Sequence, residues 1–188
     1  MPDHDVLVIG AGFAGLYQLH RLRAAGFDVS VIEAGDDVGG TWFWNRYPGA
    51  RCDIESIEYS YSFDEDLQQE WVWSERFAAQ PELLRYLHHV ADRFDLRRDI
   101  VLGTRVLRLE WDDLTTRWTV HTDDGATRTA RFVVAATGNL SVPTQPGFAG
   151  LEDFAGKLYW TSSWPHKGVE LAGNTRSTSS SSPPASTR

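Results

Sequence analysis

Cysteine is almost absent from this chain: Cys52 is the only one in 188 residues. One thiol excludes an internal disulfide and a Cys-x-x-Cys redox pair. Cationic side chains are in the minority, 18 Lys and Arg against 26 Asp and Glu, for a formal net charge of −8. A surface of that sign repels phosphate backbones and argues against nucleic acid as a partner. No apolar run approaches the roughly 20 residues that span a bilayer. Nor does a basic stretch with an apolar core precede the first strand pattern, so no export signal is read. These absences point to a cytoplasmic protein. What is present suffices for a core: 41% apolar and 23% charged residues, in a length suited to one large domain.

The first thirty-three residues carry the most information. DVLVIG, Asp5 to Gly10, is a β-branched apolar run with the pattern of a buried parallel strand. Gly10-Ala11-Gly12-Phe13-Ala14-Gly15 follows at once, then LYQLHRLRAAG reads as helix, with Leu16, Leu19 and Leu22 on one face and Gly26 as the stop. A second strand, DVSVIE, ends on Glu33. Strand, glycine turn, helix, strand and terminal acid form a complete dinucleotide-binding unit. Gly10 makes the tight turn, Gly12 lets backbone approach a pyrophosphate, and Gly15 lets helix pack on strand. The pyrophosphate belongs at the helix N-terminus, where free N–H groups favour anions. Glu33 can accept bonds from ribose hydroxyls and repels a 2′-phosphate, which favours FAD or NAD over NADP at this site. A glycine-rich turn without a ligand is the bland alternative.

The segment after Glu33 is unlike the next helix of an NAD dehydrogenase. AGDDVGGTWFWNRYPGARCDIES is rich in glycine and aromatics and has little periodicity. Its GGTWFWNRYPGARCDIES stretch closely resembles the active-site loop of Baeyer–Villiger flavoprotein monooxygenases of the phenylacetone and cyclohexanone type. The resemblance runs on through YSYSFDEDLQQEWVWSERFAAQPELLRYL to WPHKGVELAG and so covers nearly all of residues 5–173. It implies that Gly12, Ala14, Gly15 and Glu33 hold the adenosine and pyrophosphate of FAD, and that Gly40, Thr41, Trp42, Phe43 and Trp44 lie along the flavin. Asp53 matches the active-site aspartate beside the isoalloxazine, and Tyr59 and Val106 match further FAD contacts. Arg51 and Cys52 fall where the family's nicotinamide cofactor passes the flavin, so Arg51 and Asp53 are the candidate catalytic pair. Two structural alternatives stay open. Asp53 could cap a helix at IESIEY, and Trp42 and Trp44 could be ordinary core residues.

Further along, Gln80-Pro81-Glu82 opens an amphipathic helix with Leu83, Leu84, Leu87, Val90, Ala91 and Phe94 as its apolar stripe. His88 and His89 have no ligand-like partners and read as exposed helix residues, so no metal site is expected. RVLRLEWD, RWTVHTDD and ATRTARFVVAATG are three strand patterns separated by turns at 112–115 and 123–125. The last ends in Thr137-Gly138, similar to the family's A-T-G segment that returns to FAD. FAGKLYWTSSWP matches the family fingerprint F-x-G-x-x-x-H-x-x-x-W-P at Phe154, Gly156, Trp164 and Pro165, but Trp160 stands at the histidine position. An indole donates one N–H and cannot accept a proton, so the family's control of the linker is not carried over there.

The expected fold is α/β: a Rossmann-like FAD-binding domain, a parallel sheet with flanking helices, plus an inserted antiparallel β-meander. It is expected to fill residues 1–173, with 174–188 as a separate Ser/Pro-rich tail. If the tail serines use TCN codons, reading one base earlier restores an apolar strand running into glycine, so the tail reads as a frameshift or truncation product. A disordered Ser/Pro tail is the rival. The resemblance implies an FAD enzyme that uses NADPH and O2 to insert one oxygen next to a ketone carbonyl, giving an ester or lactone. An inactive flavin-binding fragment and an N- or S-oxygenating flavin monooxygenase are the alternatives.

Overall fold

The computed structural model describes residues 3–144 and 146–170. The proposed tail at 174–188 and the boundary at 173 lie outside them. The chain opens with strand β1 (His4–Ile9), helix α1 (Phe13–Ala24) and strand β2 (Val29–Ile32). Val6, Leu7 and Val8 are buried in succession, as are all four residues of β2. Burial on both faces explains why these strands read as continuous apolar runs. On α1, Leu16 and Leu19 are fully buried and Leu22 packs against the same core. The helix closes at Gly26, whose φ of 87° suits a residue without a side chain.

The six strands form one sheet in the order β3-β2-β1-β6-β5-β4. Strand β3 (Ile100–Val101) pairs in parallel with β2, and β1 lies in parallel between β2 and β6 (Thr127–Ala135). The meander is β4 (Val106–Asp112), β5 (Arg117–Thr122) and the first half of β6. Residues Thr127 to Ala130 pair antiparallel with β5, and Ala130 to Ala135 pair in parallel with β1. The last strand of the meander and the returning strand are therefore one continuous strand, which carries residues 136–138 to the end of β1.

Helix α2 (Thr41–Trp44) is a single turn, and α3 (Glu65–Glu70) is capped by Asp64, whose carboxylate accepts the Leu67 N–H at 2.8 Å. Helix α4 (Gln80–Arg93) has Pro81 in its first turn and buries Leu83, Leu87, Val90 and Ala91; Leu84 and Phe94 are half-buried. Tyr86 joins them, fully buried, and its hydroxyl accepts the Tyr61 N–H at 2.7 Å. Burial pushes that phenol up to about 12. His88 and His89 depart from expectation. Both are half-buried, with Nε2 atoms 3.4 Å from carboxylates of Asp37 and Glu70. Asp37 of the loop after β2, Glu70 at the end of α3 and the Trp71 ring, 5.5 Å from that of His89 between centres, stand against rings that an isolated helix would leave in water. Among the described residues no group of His, Cys, Asp or Glu could hold a metal, and no helix is long and apolar enough to cross a membrane.

Candidate functional site

A cleft of about 1100 Å³ opens at the C-terminal ends of β1, β2 and β6. This is where parallel sheets place ligands, because the helix N-termini and connecting loops meet there. Gly10, Gly12 and Ala14 form its floor beside the first turn of α1. Gly12 occupies the N-cap position, makes no side-chain cap, and no acid stands in the first turn. The first N–H groups of the helix thus lack both a side-chain acceptor and a repelling charge, the arrangement that binds anions. Gly10 has a φ of 101°, and a Cβ there would lie 2.6 Å from the Ala136 carbonyl. A Cβ on Gly40 would lie 2.8 Å from the Cα of Gly12, so the two glycine backbones touch. Gly15 faces away from the cleft, where a Cβ would lie 1.8 Å from Gly10 O; its part is packing.

Glu33 closes one end of the cleft and is buried. Its Oε2 accepts the Ala11 N–H at 2.6 Å and its Oε1 accepts the Gly35 N–H at 2.7 Å. Each carboxylate oxygen has a second lone pair, so acceptance from a ribose hydroxyl is still possible.

The opposite wall comes from the glycine- and aromatic-rich loop. Gly40, Thr41, Trp42 and Trp44 line it. Trp42 is both core and wall: it is only 8% exposed and packs edge-on to Tyr59 with centroids 5.6 Å apart. Trp44 is exposed. Phe43 does not reach the cleft. It is buried over Gly35, with the Arg46 guanidinium 4.5 Å from its ring centre.

Arg51, Cys52 and Asp53 divide by alternation. Cys52 bonds to Ala78 O through its N–H, at 3.1 Å, and Ser56 Oγ accepts the Ala78 N–H at 2.8 Å, which staples this segment to the start of α4. Extended backbone then sends Arg51 and Asp53 to the cleft and Cys52 into the core. Cys52, expected as a cofactor contact, has its side chain buried among apolar residues and not on the cleft. Arg51 donates to Glu75 at 2.7 Å and to Phe77 O at 2.6 Å, and the Glu75 bond raises its pKa. Asp53 caps no helix, since the 3-10 turn Ser56–Tyr59 begins after Glu55 and has no side-chain cap. Asp53 instead stands exposed at the cleft. Burial first, and then the Asp53 charge, raise the neighbouring Tyr59 phenol.

Tyr59, Val106 and Gly138 also line the cleft. Other residues that line it were not anticipated: Thr104 and Arg105, residues 139–143, and Ser162, Trp164 and His166. His166 sits edge-on to Phe43 with centroids 5.4 Å apart. Arg105 was within reach of the sequence, since it adjoins Val106. The volume also suits a long ligand, being at the upper end of small-molecule sites.

A glycine turn at an uncapped helix N-terminus, an acid ending the second strand and an aromatic wall define a dinucleotide-binding α/β domain. The chain belongs to the family described as pyridine nucleotide-disulphide oxidoreductase, whose model matches residues 7–171. With Cys52 as its only cysteine, the chain itself holds no disulfide pair.

The chain is 49% identical over 169 residues to acetone monooxygenase (methyl acetate-forming) of Gordonia sp. (strain TY-5), covering 90% of this chain and 32% of that protein. Among solved structures, oxidized steroid monooxygenase bound to NADP is 57% identical, with a TM-score of 0.83 over 90% of this chain and 33% of that one. The OTEMO complex with FAD and NADP is 44% identical, with a TM-score of 0.82 over 87% of this chain and 31% of that one. The chain thus spans about a third of the length of these relatives.

Proposed function

We propose that this chain is the flavin-binding part of an FAD-dependent monooxygenase that uses NADPH and O2 to insert one oxygen next to a ketone carbonyl. One observation carries the proposal. A single continuous cleft joins the anion site at α1, the acid Glu33, and the wall formed by Trp42, Trp44, Arg51 and Asp53. The relatives named for acetone and steroid oxygenation, and for bound FAD and NADP, support it. Gly12 and Ala14 would hold the diphosphate on backbone N–H groups and Glu33 the ribose, while Gly10, whose N–H donates to Ile32 O at 2.8 Å, shapes the turn. Trp42 and Tyr59 would flank the ring system. Bound there, FAD supplies the redox and oxygen chemistry, as cofactors do.

The protein's own contribution is charge and position. Asp53, exposed at the cleft mouth, favours a cation and would hold a nicotinamide carrying positive charge. Arg51, fixed by Glu75, offers a permanent positive charge for a phosphate or a developing anion. Trp42 and Tyr59 would exclude water from the ring face they flank. NADPH supply fits a cytoplasmic setting.

The test is a chimera in which residues 1–170 replace the matching part of the Gordonia acetone monooxygenase. Ketone-dependent NADPH oxidation with ester formation is expected. A chimera that folds and takes up FAD but oxidises no NADPH in response to any ketone would overturn the proposal.

A further inference from the structure

Glu33 is placed to do more than touch a ribose. Its two carboxylate oxygens accept from Ala11 and Gly35, on either side of the cleft end, at 2.6 and 2.7 Å. Ala11 lies inside the glycine turn and is fully buried, and its carbonyl accepts the Gly39 N–H at 3.0 Å. The Glu33 carbonyl accepts the Thr104 N–H at 2.9 Å, and Gly103 N–H bonds to Gly35 O at 2.9 Å. The Glu33 side chain therefore links the glycine turn to the start of the aromatic loop that follows β2, and backbone bonds from residues 33 and 35 tie both to the segment ahead of β4.

We infer that Glu33 is a positioning residue that presets the Gly10–Gly15 turn for a diphosphate before any ligand arrives. The inference rests on the dinucleotide assignment above. A neutral glutamine has the same shape, but only one of its two terminal atoms can accept. In Glu33→Gln one of the two buried N–H groups faces an NH₂ donor and loses its partner, which costs the full desolvation of that group. The turn then relaxes and its N–H groups no longer converge on the phosphates.

The sign of the effect separates this role from two simpler ones. If Glu33 acted only through its charge, Glu33→Gln would tighten binding of an anion. If it acted only on the ribose, adenosine and ADP would weaken by the same factor.

The experiment titrates the 188-residue chain and its Glu33→Gln variant with adenosine and with ADP, following amide NMR shifts. ADP is expected to weaken about ten- to a hundredfold, the scale of a lost charge-assisted bond, while adenosine changes much less. Equal loss for both ligands, or tighter ADP, overturns the inference and leaves the dinucleotide site standing. A wild-type chain that binds no ADP sinks the dinucleotide assignment and this inference with it. Should the variant fail to fold, hydrogen exchange of the ligand-free wild type decides. Slowed exchange at Ala11 and Gly35 is expected, and free-chain rates at either would overturn the preset turn.

Discussion

Replacing Gly15 by alanine probes the contact on which the whole cleft depends. The added Cβ would lie 1.8 Å from Gly10 O and 2.9 Å from Gly10 C. Ordinary contact begins at 3.4 Å, so the nearest approach is short by about 1.6 Å. Both partners are backbone, and no rotamer change can relieve them. Helix α1 must move off β1, dragging Leu16 and Leu19 from their fully buried positions. Overpacking of flexible cores costs about 1–3 kcal/mol, and this rigid case belongs at or above about 3 kcal/mol. For a chain of this length, each kcal/mol lowers the melting temperature by about 2–4 °C, so a fall of about 6–12 °C is expected. Gly147→Ala is the control, because nothing lies within 4 Å of its added Cβ. It should change stability by less than about 0.5 kcal/mol. The assay is far-UV circular dichroism melting of the ligand-free chain. If Gly15→Ala melts with Gly147→Ala and the wild type, α1 does not rest on the turn as described.

Asp53→Asn should leave the melting temperature unchanged, because the side chain is exposed and caps no helix. In the chimera it should slow flavin reduction by NADPH at least about tenfold, the worth of one charge-assisted contact; an unchanged rate removes Asp53 from the site. Burial pushes the Asp37 carboxyl up, but the Arg97 hydrogen bond and the Val38 N–H outweigh it and hold it below the ordinary range. A carboxyl depressed in the folded state stabilises above its unfolded pKa of about 4, and that stability is lost as pH falls through the folded value. Urea melts between neutral pH and about pH 2 should therefore show a shallower acid loss for Asp37→Asn than for the wild type, and parallel curves would refute the pairing. Trp160→His in the chimera should raise the share of NADPH oxidation coupled to ester formation, since an imidazole can accept a proton. Unchanged coupling would take residue 160 off the control path.

Local signals were legible where one segment decides its own structure. Gly10, Gly12 and Glu33 could be placed because a strand, a tight turn and a helix N-terminus follow one another within a single unit. The amphipathic stripe of α4 was equally plain, but Tyr86 escaped because a tyrosine declares neither burial nor the Tyr61 N–H that satisfies its hydroxyl. Alternation would have separated Arg51 and Asp53 from Cys52, had that loop been known to run extended; the proof of extension is its pairing with residues 78–80, a long-range event. The same holds for β6. Nothing in Thr127–Ala135 says that half of it pairs with β5 and half with β1, since partner choice depends on the rest of the sheet. Residues 139–143, Ser162, Ser163 and His166 reach the cleft for that reason too, delivered by topology rather than by any motif of their own.

The most direct test of the account is equilibrium titration of the 188-residue chain with FAD and, separately, with NADP⁺. FAD uptake with quenched flavin emission is expected, because Trp42 and Tyr59 flank the site, with a weaker response in Glu33→Ala. NADP⁺ should bind far more weakly, since its 2′-phosphate would face the buried Glu33 carboxylate. Tight NADP⁺ binding with no uptake of FAD would contradict it.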